Sequence, residues 1–202
     1  SIGITGQNGF TGSYLCNTIS LLKDEFVLIP FDKEFFENEN QLQNWVKQCD
    51  VIVHLAAMNR HPDPQVVYDT NIGLVKKLVT ALEKTGTNPQ IIFSSSTQEE
   101  RDNLYGRSKK EGRDLLAAWA EKHGAKFAGL IVPNVFGPFG KPFYNSVVAT
   151  FCYQLCNNQE PRIDTDGLVK LIYVDELVKV IVDAIRKGSH NPEWKVAHTS
   201  EY

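Results

Sequence analysis

Three glycines, Gly6, Gly9 and Gly12, recur at intervals of three residues between an apolar run at 2–5 and a helix-like run at 10–22. Gly6 permits a tight turn, Gly9 lets a pyrophosphate approach the helix N-terminus, and Gly12 lets the helix pack closely on the strand. A glycine triplet alone is a weak signal, but its position between a strand and a helix at the start of a βαβ pattern makes it specific. The alternative is a surface turn with incidental glycines.

Strand-like and helix-like runs alternate up to residue 132. Because the apolar strands are continuous, both faces of the sheet are expected to be covered, and this alternation predicts parallel βαβ units. We therefore predict a doubly wound, Rossmann-type α/β fold, with strands at 2–5, 26–31, 51–55, 90–94 and 126–132 and helices at 10–22, 40–48, 65–84 and 105–123.

The alternation of strand-like and helix-like runs ends after Pro133, and residues 137–142 contain two glycines and two prolines, which is typical of a loop. We predict a dinucleotide-binding domain over residues 1–135 and a small, partial substrate lobe over 136–202, which also contains late elements of the sheet. Its elements are predicted as helices at 144–155 and 176–186 and a strand at 171–174.

An acidic residue, Asp32, is predicted to end the second strand and is followed by Lys33. A carboxylate at this place accepts hydrogen bonds from an adenosine ribose and repels a 2′-phosphate, whereas the neighbouring lysine weakens that repulsion. The choice between NAD and NADP therefore stays open. The alternative is an aspartate that is simply solvated at a strand end.

Tyr105 and Lys109 lie four positions apart on a predicted helix, so their side chains share one face. A nearby ammonium favours the phenolate, which predicts a lowered pKa for Tyr105. The preceding strand leads into Ser96, whose hydroxyl is suited to orient a substrate carbonyl. The three residues predict a hydride-transfer site in which the tyrosine moves the proton. An aromatic cap with a solvated lysine is the alternative for the tyrosine and lysine alone.

The composition narrows the function class. The 202 residues carry a net charge of −3 and 22% charged residues, so we expect no nucleic-acid binding. No apolar run is long enough to span a membrane and no secretory leader is evident, which predicts a cytoplasmic protein without membrane contact. We expect reduced thiols and no metal site at the four cysteines, Cys16, Cys49, Cys152 and Cys156.

Several motifs together resemble the extended short-chain dehydrogenase/reductases, a superfamily of nucleotide-sugar epimerases, dehydratases and reductases. They lie at residues 5–12, 54–57, Asn71, 94–96, Tyr105 with Lys109, 133–138 and 173–175. A closer resemblance, carried by 54–60 and 141–153, is to the reductase domain of bacterial capsule and O-antigen enzymes. In those enzymes a C-terminal cupin epimerises a UDP-4-keto-6-deoxy-N-acetylhexosamine, and the short-chain domain reduces its C4 ketone with NADPH.

The resemblance implies a role for each candidate residue. The implied catalytic residues are Ser96, Tyr105 and Lys109. The implied cofactor-binding residues are Gly6, Asn8, Gly9, Phe10, Gly12, Asp32, Lys33, Leu55, Ala56, Ala57, Asn71, Lys109 and Pro133. The implied substrate-binding residues are Ser96, Asn134, Asn145 and Ser146, and for Asn145 a helix cap is the alternative.

Three departures from the family pattern qualify these expectations. Asp32 stands where related reductases have a basic residue, and Ile131 stands where the family usually has arginine. Ser96 and Tyr105 are only nine positions apart, which is short for an epimerase and suggests an open site.

We predict an NAD(P)H-dependent reductase of a nucleotide-linked 4-keto-6-deoxy sugar in bacterial surface-polysaccharide synthesis. One alternative is a 4-epimerase or dehydratase that holds NAD tightly. Dehydratases have an Asp-Glu pair directly after the strand-end threonine, whereas Gln98 follows Thr97 here. The other alternative is a non-catalytic dinucleotide-binding protein, against which the retained Tyr105 and Lys109 argue.

The resemblance also implies a homodimer formed by the helices at 65–84 and 105–123. The residues 115–119, which are Leu-Leu-Ala-Ala-Trp, suit either this interface or the core. Because relatives are longer, we expect the chain to be either a piece of a longer protein or a compact homologue without the cupin.

Overall fold

The computed structural model describes residues 1–163 and 167–201. The strands are β1 Ile2–Thr5, β2 Leu28–Ile29, β3 Val51–His54, β4 Gln90–Ser96, β5 Phe127–Val132, β6 Asn134–Phe136, β7 Lys170–Tyr173, β8 Asn191–Lys195 and β9 Ser200–Glu201. The α-helices are α1 Phe10–Leu21, α2 Glu39–Val46, α3 Pro64–Thr85, α4 Leu104–His123, α5 Val147–Cys156 and α6 Val174–Lys187. Two 3-10 turns cover Lys33–Glu37 and Thr97–Glu100.

Six strands form one parallel sheet in the order β2-β1-β3-β4-β5-β8. The chain winds outwards from β1 to β2 and then crosses to β3 on the other side, which makes the β1–β3 boundary the topological switch point. Helices cover both faces, since α1 and α6 pack on one side and α2, α3 and α4 on the other. The predicted doubly wound α/β fold is therefore confirmed.

Local signals explain where the long helices begin and end. The carboxylate of Asp63 caps α3 by accepting from the backbone N–H of Gln65, and Gly86 ends the helix with a left-handed φ of 64°. Asn103 caps α4 in the same way, and Gly124 ends it, also at φ 64°. Within α4, Leu116 and Trp119 are core residues, whereas Ala118 is exposed.

A small second sheet, β6-β7-β9, lies after β5. The helix predicted from residue 144 begins only at Val147, because Ser146 caps it by accepting from the N–H of Ala149. Residues 164–166 and 202, which belong to the predicted lobe, lie outside the described residues.

The second strand is shorter than predicted, and Asp32 lies beyond its end. The Asp32 carboxylate accepts a hydrogen bond from the N–H of Glu34 at 3.0 Å and so caps the first 3-10 turn. Strands β6, β8 and β9 were not predicted, because their short and largely polar segments carry no apolar run.

No helix in the described part of the chain combines the length and apolar character that a membrane crossing needs. Within residues 1–163 and 167–201, no three His, Cys, Asp or Glu side chains form a group that could hold a metal ion.

Candidate functional site

The parallel pairing of the strands gathers the candidate residues at one edge of the sheet. Thr5 at the end of β1 pairs with His54 at the end of β3, and Ser96 at the end of β4 pairs with Val132 at the end of β5. The segments that follow these four strands therefore emerge side by side. In open α/β sheets this carboxyl edge is where ligands bind.

The glycine turn forms a cradle that side chains would fill. Gly6 has φ 75°, and a Cβ atom there would lie 2.8 Å from the backbone nitrogen of Ala56. A Cβ atom on Gly12 would lie 2.1 Å from the carbonyl oxygen of Gly6, so the first turn of α1 touches the loop backbone directly. No side chain caps α1 at Gly9, which leaves its first N–H groups available to an anion.

The segment before Asp32 is tied to this turn. The Gln7 amide donates to the carbonyl oxygen of Phe31, which brings the end of β2 next to the glycines. Asp32 and Lys33 are both exposed beside it. Asn8 is exposed on the turn itself, and Phe10 is half-buried at the start of α1.

The loop after β3 is held by two polar side chains. The Ala56 N–H donates to the Thr5 hydroxyl at 3.2 Å. The Asn71 amide accepts from the Met58 N–H at 2.7 Å and donates to the Met58 carbonyl and to the Ser108 hydroxyl. Asn71 is thus buried as a bridge between this loop, α3 and α4. Its place among the cofactor-binding residues stays a prediction.

The arrangement fits a dinucleotide. The glycine cradle and the uncapped end of α1 suit a pyrophosphate, and the Asp32 carboxylate suits a ribose. Leu55, Ala56 and Ala57 are half-buried along the neighbouring loop. Pro133 is buried between β5 and β6 at the same edge.

Ser96 and Tyr105 meet at this edge. Ser96 ends β4, and its hydroxyl accepts from the Gln98 N–H at 3.2 Å. Burial raises the pKa of Tyr105 to about 12, the hydrogen bond with Ser96 acts in the opposite direction, and Tyr144 adds to the rise. The predicted lowering of the Tyr105 pKa is therefore wrong, because desolvation of the phenolate outweighs the stabilisation expected from the lysine.

Lys109 lies one helical turn beyond Tyr105 and is buried. Its ammonium lies 4.7 Å from the ring centroid of Phe93. Burial lowers the pKa of Lys109 to about 8, and the negative charge of Glu99 partly offsets that effect. Among the described residues, no hydrogen-bond acceptor contacts this ammonium, which leaves it available to a bound group.

A cavity of about 590 Å³ opens beside Tyr105. Arg60 crosses from the loop after β3 towards the lobe, where its guanidinium lies 5.9 Å from the Tyr144 ring and donates to the Phe143 carbonyl at 3.4 Å. The residues that line the cavity are Asn59, Arg60, His61, Pro62, Pro64, Val67, Asn103, Leu104, Tyr105, Phe143 and Tyr144. Arg60 and Tyr144 lie in the two segments that carry the closer resemblance, but no pattern marked them as neighbours.

The other three substrate candidates, Asn134, Asn145 and Ser146, are not part of that lining. The Asn134 amide donates to the Lys170 carbonyl at 3.4 Å, and Ser146 caps α5. Asn145 is exposed in the preceding turn, so the cap is its neighbour Ser146. Their contact with a substrate stays a prediction.

Residues 2–197 match the family described as the NAD dependent epimerase/dehydratase family. Over 180 residues the chain is 32% identical to the UDP-2-acetamido-2,6-beta-L-arabino-hexul-4-ose reductase of Pseudomonas aeruginosa. That alignment covers 89% of this chain and 48% of the reductase, so the chain spans about half the length of this relative.

Solved structures share the fold. The capsular polysaccharide assembling protein CapF of Staphylococcus aureus superposes with a TM-score of 0.79 at 31% identity, over 100% of this chain and 53% of CapF. RMD of Pseudomonas aeruginosa, solved with NADPH, superposes with a TM-score of 0.84 over 100% of this chain and 77% of RMD. At 18% identity the second likeness concerns the fold alone.

The glycine cradle, the Tyr105–Lys109 helix and the match over nearly the whole chain agree with one another. The chain belongs to the NAD dependent epimerase/dehydratase family.

Proposed function

We propose that the protein is an NAD(P)-dependent oxidoreductase that reduces the C4 ketone of a nucleotide-linked 4-keto-6-deoxy sugar. The observation that carries the proposal is Tyr105, which lines a cavity at the carboxyl edge of the sheet, has Ser96 as a hydrogen-bond partner and is followed one helical turn later by the buried Lys109. The 32% identity to a nucleotide-sugar 4-ketone reductase supports the substrate class.

We assign the candidate residues along the carboxyl edge of the sheet to different parts of the cofactor. Gly6, Gly9 and Gly12 would hold the pyrophosphate of NAD or NADP at the N-terminus of α1, with Asn8 and Phe10 beside it. Asp32 and Lys33 would contact the adenosine ribose, and the choice between the two cofactors remains open. The nicotinamide, when bound, supplies the hydride. Leu55, Ala56, Ala57, Asn71 and Pro133 would line or support its place.

Tyr105 is suited to deliver the proton. A phenol whose pKa is raised to about 12 is protonated throughout the neutral range, so it donates a proton to a ketone oxygen that is gaining negative charge. Ser96 would donate a second hydrogen bond to the same oxygen. Lys109 would contact the nicotinamide ribose and stabilise negative charge near the tyrosine while its ammonium is protonated.

The relatives and the turn after Ser96 favour the reductase over the alternatives. The 32% identity to a 4-ketone reductase favours reduction over epimerisation. Elimination lacks the Asp-Glu pair, since Gln98 follows Thr97. The complete set Ser96, Tyr105 and Lys109 argues against a non-catalytic dinucleotide-binding protein.

The wider context is part of the same proposal. Residues 1–135 would form the cofactor domain, with Asn134 at its substrate edge, and 136–202 a partial substrate lobe that supplies Asn145 and Ser146. The reaction would serve surface-polysaccharide synthesis in the cytoplasm. A homodimer would use the outer faces of α3 and α4, where Ala118 is exposed.

A hydride-oxidation assay tests the proposal. Purified protein is mixed with NADH or NADPH and a panel of UDP- and dTDP-linked 4-keto-6-deoxy sugars, and cofactor absorbance is followed. We expect stoichiometric oxidation of one cofactor with at least one UDP-linked sugar. Protein that retains NAD through purification and isomerises sugars without net oxidation would instead support the epimerase.

A further inference from the structure

Glu99 is a buried carboxylate to which the proposed reaction assigns no role. Its side chain is only 5% exposed and faces Arg113, whose side chain is 7% exposed. The guanidinium donates from Nε to Oε1 and from Nη2 to Oε2, both at 3.0 Å, which is a bidentate pair. The Ser95 hydroxyl donates to the same carboxylate. No pattern in the sequence distinguishes Glu99 from the neighbouring Glu100, which is exposed.

The pair joins three elements around the candidate site. Glu99 lies in the 3-10 turn Thr97–Glu100 directly after Ser96, whereas Arg113 lies in the middle of α4. The second arm of Arg113, Nη1, donates to the Pro192 carbonyl of β8 at 3.1 Å. Gly129 of β5 makes room for this side chain, since a Cβ atom there would lie 2.8 Å from Arg113 Cδ.

The turn also touches α4 at the residue that follows Tyr105. A Cβ atom on Gly106 would lie 2.0 Å from the Gln98 carbonyl oxygen, so turn and helix meet backbone to backbone. The turn is thus fixed at Gly106 and again at Arg113, two turns along the helix. Ser96 and Tyr105 flank the first contact, and their relative position depends on both contacts.

The charge of Glu99 also reaches Lys109. Burial lowers the pKa of the Lys109 ammonium to about 8, and the Glu99 carboxylate acts in the opposite direction by raising it. His54 on β3 is electrostatically coupled to the ammonium, and the buried Arg113 follows Lys109 one helical turn along α4. Burial and the charge of Lys109 lower the pKa of His54 to about 3, so the imidazole carries no charge between pH 6 and 9.

We infer that Glu99 is a positioning residue of the candidate catalytic set. Held by Arg113, it fixes the turn that joins Ser96 to Tyr105, and it adds a negative charge to the surroundings of the buried Lys109 ammonium. The inference rests on the proposed function, because it assigns a purpose to a position within that site.

The test compares Glu99→Gln with Glu100→Gln. Both changes remove one carboxylate from the same turn, but Glu100 is exposed and its ion pair is with the exposed Lys195, at 3.5 Å. The ammonium of Lys109 is titrated by NMR of isotope-labelled lysine in the protein without substrate, and Lys109→Arg identifies its signal. Glu99→Gln should lower the titration midpoint by about 1 pH unit, and Glu100→Gln should leave it unchanged. In the reductase assay kcat should fall roughly tenfold to a hundredfold for Glu99→Gln alone.

A double variant, Glu99→Gln with Arg113→Met, keeps the test decisive if Glu99→Gln unfolds because the Arg113 guanidinium is left with the more distant, exposed carboxylates of Asp114 and Glu193, at 3.4 and 3.6 Å. Removing both charges of the buried pair leaves no uncompensated ion in the interior, so the double variant should fold. We expect it to keep the reduced kcat, because the turn has lost its anchor on α4. Its Lys109 midpoint should return towards the wild-type value, because the Arg113 cation one helical turn away is lost together with the Glu99 carboxylate. A wild-type kcat in the double variant would show a purely structural pair and overturn the inference. A shifted midpoint in a protein whose wild type reduces no 4-keto sugar would overturn the proposed function alone.

Discussion

Helices α4 and α5 border the same edge of the molecule, but they are held in opposite ways. α4 buries eight of its residues, among them Lys109, Arg113 and Trp119. α5 buries none, although its sequence is the more apolar of the two. Both helices begin with a side-chain cap, Asn103 and Ser146, so the local signals are equivalent.

The difference lies in what each helix packs against. α4 lies on the sheet and on α3, and its buried Arg113 is paired with Glu99 inside that packing. α5 follows a loop in which Phe139 and Phe143 both have left-handed φ values, of 65° and 55°. Tyr105, the proposed proton donor, thus lies on the buried helix, and the less packed segment contributes only Phe143 and Tyr144 to the cavity lining. Such a division suits chemistry that needs fixed geometry and a substrate pocket that adapts.

The largest expected effect is on activity and comes from α4. Tyr105→Phe removes the proton donor and should lower kcat by about 10²–10⁴-fold, with little change in cofactor Kd. Tyr153→Phe makes the same chemical change at an exposed position of α5 and is the matched control. Steady-state kinetics with cofactor titrations measures both, and equal activity of the two variants would contradict the assignment of Tyr105.

The two helices should also differ in how much a truncated side chain lowers the free energy of unfolding. Trp119→Ala on α4 opens a cavity in the core, where the side chain is 3% exposed, and should lower the free energy of unfolding by about 3–5 kcal/mol. Leu155→Ala on α5, where the side chain is 63% exposed, should change it by less than about 0.5 kcal/mol. Urea unfolding measures both, and a comparable loss in the α5 variant would show that α5 has a partner surface.

The buried ammonium of Lys109 on α4 should lower the free energy of unfolding. Burial lowers the pKa of Lys109 from 10.5 to about 8, so the unfolded chain binds the proton more tightly between these values. Lys109→Met should therefore abolish activity and raise the free energy of unfolding at pH 7 by about 3 kcal/mol. The wild-type protein should gain stability as pH rises from 8 towards 10.5, and the variant should lack that gain. Parallel pH profiles of the two proteins would contradict the burial of a charged lysine.

The smallest expected effect is the pH dependence of the reaction itself. Tyr105 remains protonated up to about pH 12, whereas Lys109 loses its charge above about pH 8. Reduction should therefore be nearly level from pH 6 to 7, fall to about half at pH 8 and be lower by about tenfold at pH 9. A kcat that rises through this range would point to Tyr105 acting as a base, as the epimerase requires.

Patterns with a local cause were predictable. The sequence placed a helix at 65–84 and another at 105–123, and the structure has α3 and α4 within a residue or two of these limits, because caps and terminal glycines are local signals. The end of the fold was harder to predict. β8 contains Pro192 and mostly polar residues, and only its position beside β5 makes it a strand.

Features that depend on packing were not predictable. The spacing of Tyr105 and Lys109 implied a lowered phenol pKa, but the depth of burial decides that value, and burial is set by the whole fold. Likewise, Arg60 and Tyr144 are distant in sequence and meet only where the loop after β3 faces the lobe. The glycine turn could be predicted because its three glycines lie within seven consecutive residues.

Isotope transfer tests the central claim most directly. The protein is incubated with NADPH or NADH deuterated at both C4 positions and a UDP-linked 4-keto-6-deoxy-N-acetylhexosamine, and the sugar product is examined by mass spectrometry and NMR. A reductase built around Tyr105 predicts one deuterium at C4 of the product for each cofactor oxidised. A product that is isomerised without deuterium, from a reaction that consumes no cofactor, would contradict the account.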